Sequence, residues 1–381
     1  MSDPEPVEKP AITQEEFLAW RSPRLGDTNP TDLTNPLWAW MVRTRFNAYQ
    51  GNQAWGGPSP FDAGPMCCFD RFGQSTTALP DGRTLYIAGE HEDSYDPDFF
   101  IYNDVVVVQR DGAITIHGYP KDVFPPTDFH TATLAGGRIV VIGNLGYRDE
   151  RVVGKTQVLE LALDTLSVRI VETHGEGPGW LNRHGATLSD AADAIVVSGG
   201  EVYLGPDQDL WENVDDWQLD LATWTWARHT RKGWPQWGCI RADHQLNSLW
   251  DMRHALWYRG VGWKDDFAQE VARVTDRIGF APDLELVASL YRLDESVVDL
   301  PLREDELGIV RVVVDGVTVK FREDSFWVRA VVEGTLAPDR LEALQASVLD
   351  KLTRLTRTPW TVHAPDWTAG RSAASPVPGA G

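Results

Sequence analysis

The sequence predicts a mainly β chain: a propeller of repeated four-stranded antiparallel units, followed by an α+β domain. Three observations carry this. First, FGQSTTALPDGRTLYIAGE (72–90), FHTATLAGGRIVVIGN (129–144) and RHGATLSDAADAIVVSGG (183–200) share one pattern. Each has a small, Thr-rich strand ending at Leu79, Leu134 or Leu188, a turn (DGR, GGR or DAAD), and an apolar strand stopping at Gly89, Gly143 or Gly199. Glycine tolerates positive φ and close backbone approach, so it marks a sharp strand exit. Second, a strand–turn–strand segment follows each: VVVVQRDGAITI (105–116), LALDTLSV (161–168) and LDLATWTW (219–226). Each unit thus holds four short strands recurring at roughly 55–60 residues, a propeller-blade period. Third, the pattern changes after about residue 263, where helical spacing and a β-meander take over.

In chain order, residues 1–62 read as an N-terminal helical arm. TQEE (13–16) is a capping box, Thr13 at the N-cap and Glu16 at N3, opening a helix through Trp20. In NPLWAWMVRTRFNAY (35–49), Pro36 sits in a first turn and Leu37, Met41 and Val42 keep helical spacing. The blades then occupy 63–262. DHQLNSLWDMRHALWYRG (243–260), with His244 and an aromatic strand but no glycine pair, is a degenerate candidate for a fourth blade. With three clear blades, either the propeller is incomplete and other segments cover its sheet edges, or it closes with blades that the pattern does not mark.

Residues 263–370 form the α+β domain. Phe267, Val271, Val274 and Ile278 make one helix face. LVASLYRL (286–293), GIVRVVVDG (308–316), VTVKFRE (317–323) and FWVRAVVEG (326–334) read as strands, with Asp315-Gly316 as a hairpin turn. Leu341, Leu344, Val348, Leu352 and Leu355 define a second helix, and WTVHA (360–364) a closing strand. The tail, 371–381, reads as disordered from its composition.

Lys and Arg number 35 against 56 Asp and Glu, a net charge of −21. Such a surface repels phosphate backbones and argues against nucleic acid; it suits a basic protein partner. The start, MSDPEPVEKP, lacks the features of a signal peptide, and no apolar run approaches the ~18 residues of a membrane span. Cys67, Cys68 and Cys239, an odd set with two adjacent, do not suggest a disulfide framework. A cytoplasmic protein is the expectation.

The segments HGATL, IVVSGG and LDLATWTW together resemble the kelch repeat, whose glycine pair follows the second strand and whose later strand ends in a DL-x-T-x-x-W pattern. The likeness is strongest in the third unit and covers about 70–240. It implies a kelch-type, galactose-oxidase-like β-propeller, and with FDRFGQS and IYNDVVVV it is similar to a group of uncharacterised bacterial kelch-like proteins. Some kelch-type enzymes use copper with a Cys-crosslinked Tyr. The three cysteines lie outside the repeat strands and no Tyr/His set matches, so that activity is not carried over.

Two sets of residues compete for function. The aromatic set Tyr147, Trp180, Tyr203, Trp211, Trp234 and Trp237 falls in expected inter-strand loops, where Trp and Tyr anchor interfaces or pack loop on loop. His130, His184 and, in the degenerate unit, His244 recur at blade starts; if those strands line a central channel the imidazoles could converge to bind a metal, or each could serve as scaffold bonding backbone within its own blade. The acidic stretch EHEDSYDPD (90–98) offers His91, Asp93, Asp96 and Asp98 to a divalent metal, although it lacks the order of a calcium loop. It also reads as a solvated acidic loop. No nucleophile elbow, P-loop, H-E-x-x-H or dinucleotide motif appears. The expectation is therefore a non-enzymatic, protein-binding module without cofactor, with toxin neutralisation (immunity) as one concrete role. The alternative is a metal-dependent lyase or hydrolase using 90–98.

Overall fold

In the computed structural model the described residues are 7–59, 63–93, 96–261, 264–301 and 308–368, with the side chains of 92, 93, 96–98, 264 and 265 outside the description. Strands hold 30% of the chain and helices 22%, so the mainly β expectation holds. The chain divides into two compact units between Arg231 and Lys232.

The first unit opens with α1 (Gln14–Trp20), where the Thr13 hydroxyl accepts from the Glu16 amide and the Glu16 carboxylate accepts from the Thr13 amide. A short extended piece, β1 (Thr31–Asp32), precedes α2 (Pro36–Thr44), which Asn35 caps by accepting from the Trp38 amide at 2.9 Å. The helical run of 35–49 does not continue unbroken. Arg45 turns left-handed at φ 54°, and Asn47 caps a new helix, α3 (Ala48–Ala54). Phe17, Leu37, Trp38 and Met41 of this arm bury against Val106, Ile114 and Ile116.

The strands follow in order: β2 (Ser75–Ala78), β3 (Thr84–Ile87), β4 (Glu90–Asp93), β5 (Asp96–Ile101), β6 (Asp104–Val108) and β7 (Ile114–Gly118). Next come β8 (Thr131–Ala135), β9 (Arg138–Ile142), β10 (Val158–Ala162) and β11 (Val168–Ile170). Then β12 (His174–Gly175), β13 (Trp180–Asn182), β14 (Gly185–Leu188), β15 (Ala194–Ser198), β16 (Glu201–Tyr203), β17 (Leu210–Glu212), β18 (Trp217–Asp220) and β19 (Thr225–Arg228). Three sheets repeat one antiparallel order, β2-β3-β6-β7, β8-β9-β10-β11 and β14-β15-β18-β19. The first strands β2, β8 and β14 pack side by side in succession. Leu85, Ile87, Val105 and Val107 share a core with Ile139, Val141 and Leu159, because each strand's apolar alternation aims one face at the next sheet.

The register refines the glycine pattern. Ser75 pairs with Ile87, Thr131 with Ile142 and Gly185 with Ser198, so the next residues, Ala88, Gly143 and Gly199, are equivalent. All three have positive φ (52°, 82° and 65°). Gly89 therefore corresponds to Gly200, one place later than the sequence pattern put it.

The acidic stretch is a hairpin rather than a loop: β4 pairs with β5, Glu90 opposite Ile101 and His91 opposite Phe100.

The second unit, Lys232–Trp367, is one six-stranded sheet and its helices. Its elements are β20 (Gln236–Arg241), α4 (Leu249–Gly260), α5 (Lys264–Ile278), α6 (Leu284–Ala288), β21 (Val298–Asp299), β22 (Ile309–Val314), β23 (Val317–Glu323), β24 (Trp327–Glu333), α7 (Pro338–Thr356) and β25 (Trp360–His363). The order is β21-β22-β23-β24-β20-β25. Because β20 lies between β24 and β25, this unit begins about thirty residues before the expected boundary at 262/263.

Two expected strands are helical. The candidate fourth blade, 243–260, contains α4, and 286–293 begins in α6, which Asp283 caps through the Leu286 amide at 2.9 Å. Leu286, Val287, Leu290 and Tyr291 all reach the core, a helical spacing. The other expected C-terminal strands and the helix of Leu344, Val348, Leu352 and Leu355 form as anticipated. Among the described residues no helix is long and apolar enough to cross a membrane.

Candidate binding cleft

Helix α4 has two faces. Leu249, Met252 and Ala255, spaced by three, enter the core of the second unit. Trp250, His254 and Trp257, at i, i+4 and i+7, share the opposite face. Trp250 is 63% exposed and Trp257 57%, an unfavourable placement for large apolar rings that makes this face a candidate interaction surface. These side chains, with Leu256 and Val261, wall a cleft of about 520 Å³ completed by Leu300, Ile309 and Val310.

A polar set supports the cleft. Arg253 grips Glu323 with two parallel bonds of 2.5 Å, and the Tyr291 hydroxyl donates to the same carboxylate. Tyr291 in turn stacks on Phe321 with ring centroids 4.0 Å apart. Burial works against the Arg253 charge, yet the adjacent Glu323 outweighs it and holds the guanidinium above its ordinary pKa. Burial, reinforced by Glu323, pushes the Tyr291 phenol well up. His254 bonds Glu270 at 2.8 Å, and Glu270 is held at about 2, first by Arg273 and then by His254. Glu270 is thus held ionised beside Arg273, and Glu323 is bonded to Arg253. The arrangement fixes aromatic walls over a charged frame, which suits noncovalent capture of apolar side chains.

The residues singled out from sequence take other places. Trp180, Tyr203, Trp211 and Trp237 are buried, so they do not form a loop surface. The reason is that the segments carrying the first three fold into an extra sheet, β13-β16-β17, in which Trp180 faces Tyr203 and Trp211 faces Val202. Trp237 lies in β20, edge-on to Phe321 in the second unit's core. Tyr147 is half-buried, its hydroxyl accepting from the Ile101 amide at 3.1 Å, and Trp234 is half-buried beneath Lys232.

His130 and His184 join sheets rather than bonding within their own. His130 Nε2 pairs with the Ser75 hydroxyl of the preceding sheet at 2.8 Å, and His184 Nε2 with that of Thr131 at 2.9 Å. Both rings are buried, and Nδ1 of each has no protein partner among the described residues. Burial, and for His130 also the neighbouring His184, lowers their pKa values to about 3 and about 4. His244 lies in an exposed turn of the second unit.

His91 is buried in β4, while the side chains of Asp93, Asp96 and Asp98 lie outside the described residues. Among the described residues no three His, Cys, Asp or Glu side chains group to hold a metal. Sequence reasoning missed Trp250 and Trp257; the apolar spacing of Leu249, Met252, Ala255 and Leu256 was the signal for them. Compared with family models the chain matches none, and compared with curated proteins it finds no match.

Proposed function

We propose that this chain is a non-enzymatic protein-binding module whose principal contact surface is the α4 cleft. One observation carries the reading: Trp250 and Trp257, both more than half exposed, flank a cleft with apolar walls and a braced frame. Exposed tryptophans beside a preformed concavity are typical anchors at protein interfaces. The net charge of −21 favours a basic partner through electrostatic steering.

The repeated order of the three sheets supports describing them as three blades of an incomplete kelch-like propeller, which would serve as scaffold. The odd number of cysteines, two of them adjacent and all three buried, supports a reducing cytoplasm. Toxin neutralisation is the concrete role that acidity and modular build suggest.

The test is a capture experiment. The wild-type chain retains a partner from native lysate, and Trp250→Ala/Trp257→Ala loses most of it at unchanged melting temperature. Each anchor is expected to contribute about 2 kcal/mol or more. Undiminished capture by the double variant would refute the α4 surface.

A further inference from the structure

The three repeated sheets differ at their outer strands. On the first sheet, β1 lies against β7; the Leu33 amide donates to the Ile116 carbonyl at 2.8 Å, and the Ile116 amide to the Thr34 hydroxyl at 2.9 Å. On the third sheet, β12 lies parallel to β19. In both cases an extended segment from elsewhere in the chain fills the edge. The second sheet has no fifth strand among the described residues. There the Asn29 side chain alone imitates one, accepting from the Val168 amide at 2.8 Å and donating to its carbonyl at 2.7 Å.

Two residues further along, no described residue pairs with the edge. Val171 donates to the Val158 carbonyl and Ala162 to that of Ser167, which fixes the phase of the ladder. The backbone N–H and C=O of Ile170, like those of Val168, therefore point away from β10. By register Ile170 is the counterpart of Ile116, the residue the arm covers on the first sheet. Beside it lies a cleft of about 470 Å³ that includes Ile170, Val171, Val152 and Trp180. Ile170 is 40% exposed and Val152 49%.

We propose that this edge docks an extended segment of a partner protein, added to β11 as a further strand with an apolar side chain in the cleft. The occupant follows from the molecule itself: both neighbouring sheets accept extended chain at their outer strands, and here Val152, Ile170, Val171 and Trp180 offer an apolar patch in a cleft whose lining also carries Lys121, Glu150 and Lys155. Main-chain pairing supplies affinity and the cleft supplies selectivity. The site lies in the first unit and does not depend on the α4 surface.

Proline at position 170 provides the test. It removes an N–H that makes no bond to β10, and its demand for an extended preceding residue is met by Arg169 in β11. Random ten-residue peptides displayed on phage are selected on the full wild-type chain. Enriched peptides should bind Ile170→Pro about tenfold more weakly, because the main-chain bond from the position-170 N–H is lost. They should bind Trp250→Ala/Trp257→Ala unchanged, and N-methylation of a central peptide amide should weaken them similarly. That last measurement decides alone if Ile170→Pro does not fold. No enrichment, equal binding to Ile170→Pro, insensitivity to N-methylation, or loss on the α4 double variant would overturn the proposal.

Discussion

His130 and His184 should make the first unit sensitive to mild acid. Each ring is buried and neutral, with Nε2 satisfied by a hydroxyl and Nδ1 without a protein acceptor. Protonation would bury a charge and a second N–H donor at once, which is why burial lowers the pKa from 6.5 to about 3 and about 4. Because the folded values lie below the unfolded one, the unfolded chain binds more protons in between. Stability is complete above about pH 6.5 and falls with pH toward the folded values. Between pH 7 and pH 5 each histidine should cost about 2 kcal/mol, and the pair about 4 kcal/mol. The perturbation is His130→Gln/His184→Gln, whose amides can still meet Ser75 and Thr131 but do not titrate. Urea unfolding of wild type and double variant at pH 7, 6 and 5 isolates the effect, since the carboxylates common to both cancel in the difference. The variant should start less stable and lose less, so the two curves converge toward pH 5. Parallel pH profiles would refute the argument that burial keeps these rings neutral.

Three further outcomes are expected. Gly200→Ala should destabilise by several kcal/mol, because at φ 80° its methyl would sit 2.3 Å from the Asn182 carbonyl oxygen; Gly199→Ala, at φ 65° in open space, should cost only about 1 kcal/mol in thermal melts. Asp104→Ala should cost about 3–5 kcal/mol by leaving buried Arg71 without the carboxylate it grips at 2.5 and 3.0 Å, and Arg71→Met/Asp104→Leu should recover part of that loss. EDTA should leave the wild-type melting temperature unchanged. A drop of several degrees, absent in Asp93→Asn/Asp96→Asn/Asp98→Asn, would instead promote the metal-dependent lyase or hydrolase.

The parts legible in the sequence are those set by local periodicity. β-branched alternation and turn residues locate the strands of all three repeated sheets, and steps of three and four locate α7. Which member of a glycine pair ends a strand is decided by pairing register, so Ala88 at φ 52° could not be foreseen in a glycine's place. Strands of three residues such as β13, β16 and β17 are too short to show a period, and their tryptophans were therefore assigned to loops. The partners of β20 come from 327–333 and 360–363, a long-range pairing that no local pattern announces. In α4 the exposed tryptophans blur the amphipathic contrast, so the aromatic run resembled a strand.

The imidazole–hydroxyl contacts can be viewed as the chemistry of a polymer with two functional ends. At the start of their inner strands the sheets carry Gln74-Ser75, His130-Thr131 and His184-Gly185. The first monomer thus has only the hydroxyl, the middle one has both groups, and the last has only the imidazole. Ser75 and Thr131 are each consumed by the next imidazole, and Gly185 offers nothing to a successor. Growth by this linkage stops at three, as step growth stops when a monofunctional monomer is incorporated. The array has a head and a tail, and its last sheet, with Gly185 in the hydroxyl's place, carries no side-chain oxygen with which to extend this linkage.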